Sequence, residues 1–125
     1  MKVIAPTAPQ RSPLPGIAHV TRASRRDGLS SLSIWHQTLQ PGAGTPPHRH
    51  DCDEVVMCVA GSGELRSGSR VERFGPHSTL VLPAHEAHQI LNSGAEPLEI
   101  VGVLAATPVV TRDLQGAEIP LPWQS

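Results

Sequence analysis

The chain has 125 residues, a formal charge of −1, seven histidines and three large aromatic residues: Trp35, Phe74 and Trp123. That length holds one core, not two. The near-balanced charge offers no basic face for nucleic acid, and no apolar run reaches the length of a membrane span.

Residues 1–16 carry Pro6, Pro9, Pro13 and Pro15, so they cannot form a helix and are expected to make an extended arm, with a partner subunit as one place for it to lie. They contain one early lysine but no apolar stretch of signal-peptide length, which makes the chain a cytoplasmic protein in expectation. Cys52 and Cys58 lie outside CxxC spacing and read as free thiols of that compartment.

From Ile17 onward the chain reads as short strands between turns. Ser31–Leu39 alternates, with Leu32, Ile34, His36 and Thr38 on one face and Ser33, Trp35, Gln37 and Leu39 on the other, until Pro41-Gly42 stops it. His36, sharing a face with Leu32 and Ile34, is expected to point inward, to orient a substrate, act as a base, or simply bond to backbone. Glu54–Val59 is a β-branched run closed by Gly61 and Gly63. Gly63–Arg66, Val71–Phe74, Thr79–Leu82, His88–Asn92, Leu98–Ala105 and Val109–Thr111 follow as further strands, each ended by Gly, Pro or a polar turn. Leu98–Ala105 is the most hydrophobic of these and is expected to be buried. Residues 114–125 form a tail expected to pack on the outside of the domain. No stretch has a helical period, so the expected fold is an all-β sandwich or barrel able to enclose one small ligand.

The chemistry concentrates in four residues. His48 and His50 stand two apart, so in a strand both imidazoles face one way, while Pro46 and Pro47 hold the approach extended. Asp51-Cys52-Asp53 makes a turn, and Glu54 opens a strand expected to run back beside the first. His88 is expected on the return strand of a later hairpin, Thr79–Leu82 out and His88–Asn92 back. Alone, a His-x-His pair is equally compatible with neighbouring surface histidines. With a third imidazole and a carboxylate it has the composition of a site for a first-row divalent metal. Parity then puts Val56 and Cys58 beside Glu54, and Ile90 and Asn92 beside His88, as an apolar cavity wall. His77 and His85 fall in turns and are expected at the surface.

The run Gly42-(x5)-His48-x-His50-(x3)-Glu54-(x6)-Gly61 matches every fixed position of the first cupin motif, and Pro83-x-His85-xx-His88-xxx-Asn92 matches the second at its Pro, His and Asn. The chain thus resembles a small single-domain cupin, with residues 17–113 as the barrel. The resemblance implies a jelly-roll double-stranded β-helix, a homodimer, and His48, His50, Glu54 and His88 as ligands of one divalent ion per chain (Fe2+, Mn2+, Ni2+ or Zn2+). It also suggests a dioxygenase-like oxidoreductase acting on an oxygen-chelating diketone, catechol, enediol or hydroxy acid. A ligand-binding cupin without catalysis, or an isomerase or lyase, is the alternative. Two motif glycines are replaced, by His77 and His85. The second stands where the turn commonly needs positive φ, so a reshaped turn is expected there, with Gly75 as a substitute hinge.

Overall fold

The computed structural model describes residues 1–125. It contains eleven strands: β1 Gln10–Arg11, β2 Ile17–Ala23, β3 Ser33–Leu39, β4 Arg49–His50, β5 Glu54–Ala60, β6 Gly63–Ser67, β7 Arg70–Phe74, β8 Thr79–Leu82, β9 Gln89–Leu91, β10 Leu98–Leu104 and β11 Thr111–Arg112. One 3-10 turn, Arg25–Asp27, is capped by Ser24 and ended by Gly28 at φ 95°. The strands form a six-stranded sheet in the order β1-β2-β3-β10-β5-β8, a three-stranded sheet β7-β6-β9 and the pair β11-β4. Every pairing is antiparallel. This is the jelly roll of the cupin fold, in a single domain.

Burial follows the pleat. β10 alternates with Leu98, Ile100, Gly102 and Leu104 inward, as befits its central place between β3 and β5. Ile17, Leu39, Val56, Cys58, Leu80, Leu82, Ile90, Leu98 and Ile100 make one continuous core. Trp35, Leu104 and Val109 make a smaller cluster, with Leu121 and Trp123 of the tail packed against it.

Four expectations need correction. The inward face of β3 is Ser33, Trp35, Gln37 and Leu39. His36 points to the opposite face, where its Nδ1 accepts from Arg22 Nη2 at 2.7 Å and its Nε2 lies 2.7 Å from Glu99 Oε1. The alternation was legible, but the apolar area of Trp35 and Leu39 outweighs that of Ile34 and the exposed Leu32 in choosing the buried face. Second, β4 pairs with β11, and β5 with β10 and β8, so the His-x-His segment and Glu54 come from different sheets. Third, β8 and β9 are not a hairpin; the chain crosses from the six-stranded sheet to the three-stranded one between them. Finally, the turns at the two replaced glycines keep their shape: His77 has φ 69° and His85 φ 70°, while Gly75 is not in the left-handed region. Histidine carries the strain itself, and both side chains sit at the surface as expected.

The proline-rich arm contributes β1, which pairs with β2 through Gln10↔His19 and Arg11↔Ala18. The tail does more than cover the outside. Ile119, Pro120, Leu121, Pro122 and Trp123 line the cavity between the sheets, and Pro13 and Leu14 of the arm line it too.

Candidate metal and ligand site

The three histidines are brought together by backbone pairing. Pro46 and Pro47 keep the chain extended into His48, which forms an isolated bridge with His88. Each donates its amide to the other's carbonyl, at 3.1 and 2.8 Å. His50, two residues on, lies in β4 opposite Thr111 of β11. Glu54 reaches in from the first position of β5, where it pairs with Leu82 and Leu104. One ligand atom from each of His48, His50 and His88 lies within 4.8 Å of the others, an arrangement that could hold a metal ion. Glu54 Oε2 is 3.4 Å from both His50 Nε2 and His88 Nε2. His50 and His88 are each 3 % exposed and Glu54 is 7 % exposed.

The hydrogen bonds on the far side of each ring fix which nitrogen is free. His48 Nδ1 lies 2.6 Å from the Pro46 carbonyl oxygen and His88 Nδ1 3.1 Å from that of Glu86. A carbonyl can only accept, so each Nδ1 carries the hydrogen. His50 Nδ1 is 3.0 Å from Thr111 Oγ1 and 3.4 Å from the Val110 carbonyl oxygen, which favours the same tautomer. In the neutral rings this leaves the Nε2 lone pairs directed at the shared space. Metal-binding histidines are commonly held this way.

Charge tells the same story. Burial, with the nearby His88, pulls His48 down to a pKa of about 4. Burial also lowers His50, against the pull of Glu54. For His88 burial opposes the charge, but the Glu54 carboxylate overcomes it and raises the pKa. Burial would raise Glu54, yet the three imidazoles hold it below the ordinary carboxylate range. An ionised carboxylate therefore sits buried among rings, two of them neutral, and its Oε2, sealed from solvent, has only the long 3.4 Å contacts to His50 Nε2 and His88 Nε2. Such an atom is costly unless something positive meets it. A divalent cation among four N and O donors would remove that cost, so the residues present fit one.

Gly102 of β10 makes room for this carboxylate: a Cβ there would come within 3.2 Å of Glu54 Oε1. Above the four donors lies a cavity of about 300 Å³. Its wall is mostly apolar, with Trp35, Val56, Ile90, Ile100 and the tail, and Gln37, Thr45 and Thr111 as its polar members. Trp35 meets His50 edge-on, with ring centroids 5.8 Å apart.

Of the expected wall residues, Val56 and Ile90 line this cavity. Cys58 and Asn92 do not. Both are buried, as parity required, but they lie too far along their strands from the donors. Cys58 belongs to the main hydrophobic core without reaching the cavity. Asn92 donates from Nδ2 to the carbonyls of Leu39 (2.9 Å) and Glu96 (2.8 Å) and accepts at Oδ1 from the Gly94 amide (2.9 Å), a structural knot. His36 is on the outer face and has no part in the site. Sequence reasoning missed Trp35 and Gln37, which the β3 alternation would have supplied once its inward face was known. It also missed the tail, where Leu121 and Trp123 on either side of Pro122 were the only signal.

The auxin binding protein family model matches residues 2–114. Auxin-binding protein 1 of Arabidopsis thaliana is 35% identical over 105 residues, which cover 76% of this chain and 53% of that protein. The chain spans about half the length of the curated relatives it matches. Among solved structures, the polyketide cyclase RemF from Streptomyces resistomycificus has a TM-score of 0.73 at 23% identity, covering 87% of this chain and 83% of that one. Rru_A2000 from Rhodospirillum rubrum, a cupin-2 domain, has a TM-score of 0.66 at 21% identity, covering 80% and 66%. At these identities the structural likeness concerns the fold alone. On its own sequence the chain belongs to the auxin-binding protein family, and its fold is that of the cupins.

Proposed function

We propose that this protein binds a small, largely apolar organic acid, with its acidic group held at one divalent ion on His48, His50, Glu54 and His88. The observation that carries the reading is the sealed Oε2 of Glu54, which has no close hydrogen-bond donor and lies 3.4 Å from two imidazole nitrogens at the base of an apolar cavity. The four residues hold the ion and set its charge. A bound divalent ion would supply a Lewis acid for an anionic oxygen, or a redox centre if it is iron or manganese. The cavity wall excludes water and takes the apolar body, as small-molecule sites usually do. The relatives are named for auxin, and an aromatic acid of that kind matches a wall containing Trp35 and Trp123.

A second reading is a dioxygenase-like oxidoreductase. Four protein donors leave two positions of an octahedron free, enough for a substrate that chelates through paired oxygens. Isomerase or lyase chemistry has less support. Every titratable side chain lining the cavity is one of the four donors, so no separate group stands ready to move a proton.

Metal analysis of the purified protein and titration calorimetry with indole-3-acetate test the first reading. One ion per chain is expected, and binding of the acid that depends on that ion. Glu54→Gln is expected to abolish metal binding with the fold retained. Full metal content in that variant would dismantle the site. Oxygen consumption with catechols, diketones or hydroxy acids on the iron-loaded protein would move the assignment to the oxidoreductase.

A further inference from the structure

His19 is 7 % exposed and lies beside the cavity wall. On β2 it pairs directly with Gln37 of β3, and Thr21 pairs with Trp35. Its ring stacks on Trp123, with centroids 3.8 Å apart and planes 12° from parallel. It meets Trp35 edge-on at 5.7 Å. Both Trp123 and Gln37 line the cavity.

A chain of three hydrogen bonds runs through the ring. Gln37 Nε2 is 3.1 Å from His19 Nδ1, His19 Nε2 is 2.9 Å from Thr21 Oγ1, and Thr21 Oγ1 donates to the Gln124 carbonyl oxygen at 2.6 Å. Its direction can be read from the one end that is unambiguous. The Gln124 carbonyl can only accept, so Thr21 spends its single hydrogen there. The Thr21 oxygen must then accept from His19 Nε2–H. Burial lowers the His19 pKa to about 4, so at neutral pH the ring holds one hydrogen. Nδ1 is therefore an acceptor, and Gln37 must turn its NH2 toward it. The amide atom left for the cavity is Oε1.

We infer that His19 is a positioning residue of the binding cavity: it seats Trp123 against the wall and orients Gln37 so that a carbonyl oxygen faces the ligand. The cavity then favours acids whose apolar body also carries an N–H or O–H donor, which the four metal-site residues alone would not select. The selectivity rests on the proposed binding function; the geometry of the relay does not.

The test has two arms on the full-length protein. In the wild type at neutral pH, nitrogen-15 shifts of the His19 ring are expected to show a neutral imidazole with its hydrogen on Nε2. A hydrogen on Nδ1, or on both nitrogens, would overturn the inference whatever the protein binds. In the zinc-loaded protein, indole-3-acetate affinity is measured for wild type, His19→Phe, Gln37→Leu and the double variant. Phenylalanine keeps a ring for Trp123 but removes the acceptor. A loss of roughly three- to tenfold is expected for His19→Phe, shrinking to under twofold when Gln37 is already leucine. Equal losses in both backgrounds would mean that His19 does not act through Gln37. Absence of indole-3-acetate binding by the wild type would refute the functional reading, and the tautomer measurement would still decide the relay.

Discussion

Gly102→Ala perturbs the carboxylate of the site without removing any donor. Gly102 sits in the middle of β10, paired with Trp35 on one side and Val56 on the other. An added Cβ would stand 3.2 Å from Glu54 Oε1, 3.8 Å from Leu104 Cδ1 and 3.9 Å from Val56 Cγ2. The two carbon contacts are ordinary packing; only the carboxylate must give, by a few tenths of an ångström. The backbone here is not in the left-handed region, so alanine brings no strain of its own. By restricting the unfolded chain it is expected to stabilise the metal-free protein by about 0.4–1 kcal/mol. The displaced Glu54 acts in the opposite direction on the metal. Ligand geometry has to hold to about 0.5 Å, and disturbing the groups that orient a ligand costs about 10–100-fold in affinity. Loss toward the lower end, about tenfold or 1.4 kcal/mol, is expected for so small a shift. The two effects have opposite signs, so they separate. Chelator competition gives metal affinity, and thermal unfolding of the metal-free protein gives stability. Unchanged affinity in a variant that folds as well as the wild type would refute the reasoning that Gly102 holds open the space Glu54 needs to bind the metal.

His85→Gly is expected to raise stability by about 0.5–1 kcal/mol, near 2–4 °C in Tm, since it relieves positive φ at a residue whose side chain is 68% exposed; a lower Tm would show that the His85–Asp51 contact outweighs the strain. In metal-free protein, His48 and His19 have folded pKa values near 4 against 6.5 unfolded, so the unfolded chain takes up protons first as pH falls. Stability should therefore drop between pH 6.5 and 4, on the order of 3 kcal/mol from His48. His88 runs the other way, its contribution complete below pH 6.5 and lost as pH rises through its higher folded value. Denaturant unfolding across this range checks the sign, and a curve flat from pH 7 to 4 would contradict it. A homodimer is expected through the outer face of the six-stranded sheet, where Val55, Met57, Val59 and Val81 are all exposed. Sedimentation should show a dimer that Met57→Glu dissociates, and a wild-type monomer at tens of micromolar would end the idea.

Much of the fold was legible in the chain because its signals are local. A strand's existence depends on alternation and on the Gly and Pro that end it, and β5, β8 and β10 were placed to within a residue on that basis. The clustering of His48 with His50 was legible for a related reason: two imidazoles at i and i+2 share a face wherever that strand goes. Locality also marks where reading failed. The alternation of β3 divides its residues into two sets, but only the rest of the core decides which set is buried. Its partners are β2 and β10, one of them more than sixty residues away in sequence. The same holds for β4, whose partner β11 comes from the far end of the chain.

What the sequence by itself determined is therefore the inventory: an all-β domain, its strands and turns, and the donors of one site. Tertiary structure decided the company they keep. It turned His36 out and Trp35 in, moved Cys58 and Asn92 away from the cavity, and drew the tail over it. It also joined His19 to Gln37 and Trp123. The physical reason is that side-chain period is a property of one strand, whereas burial and hydrogen-bond partnership belong to surfaces that meet only after the chain has closed on itself.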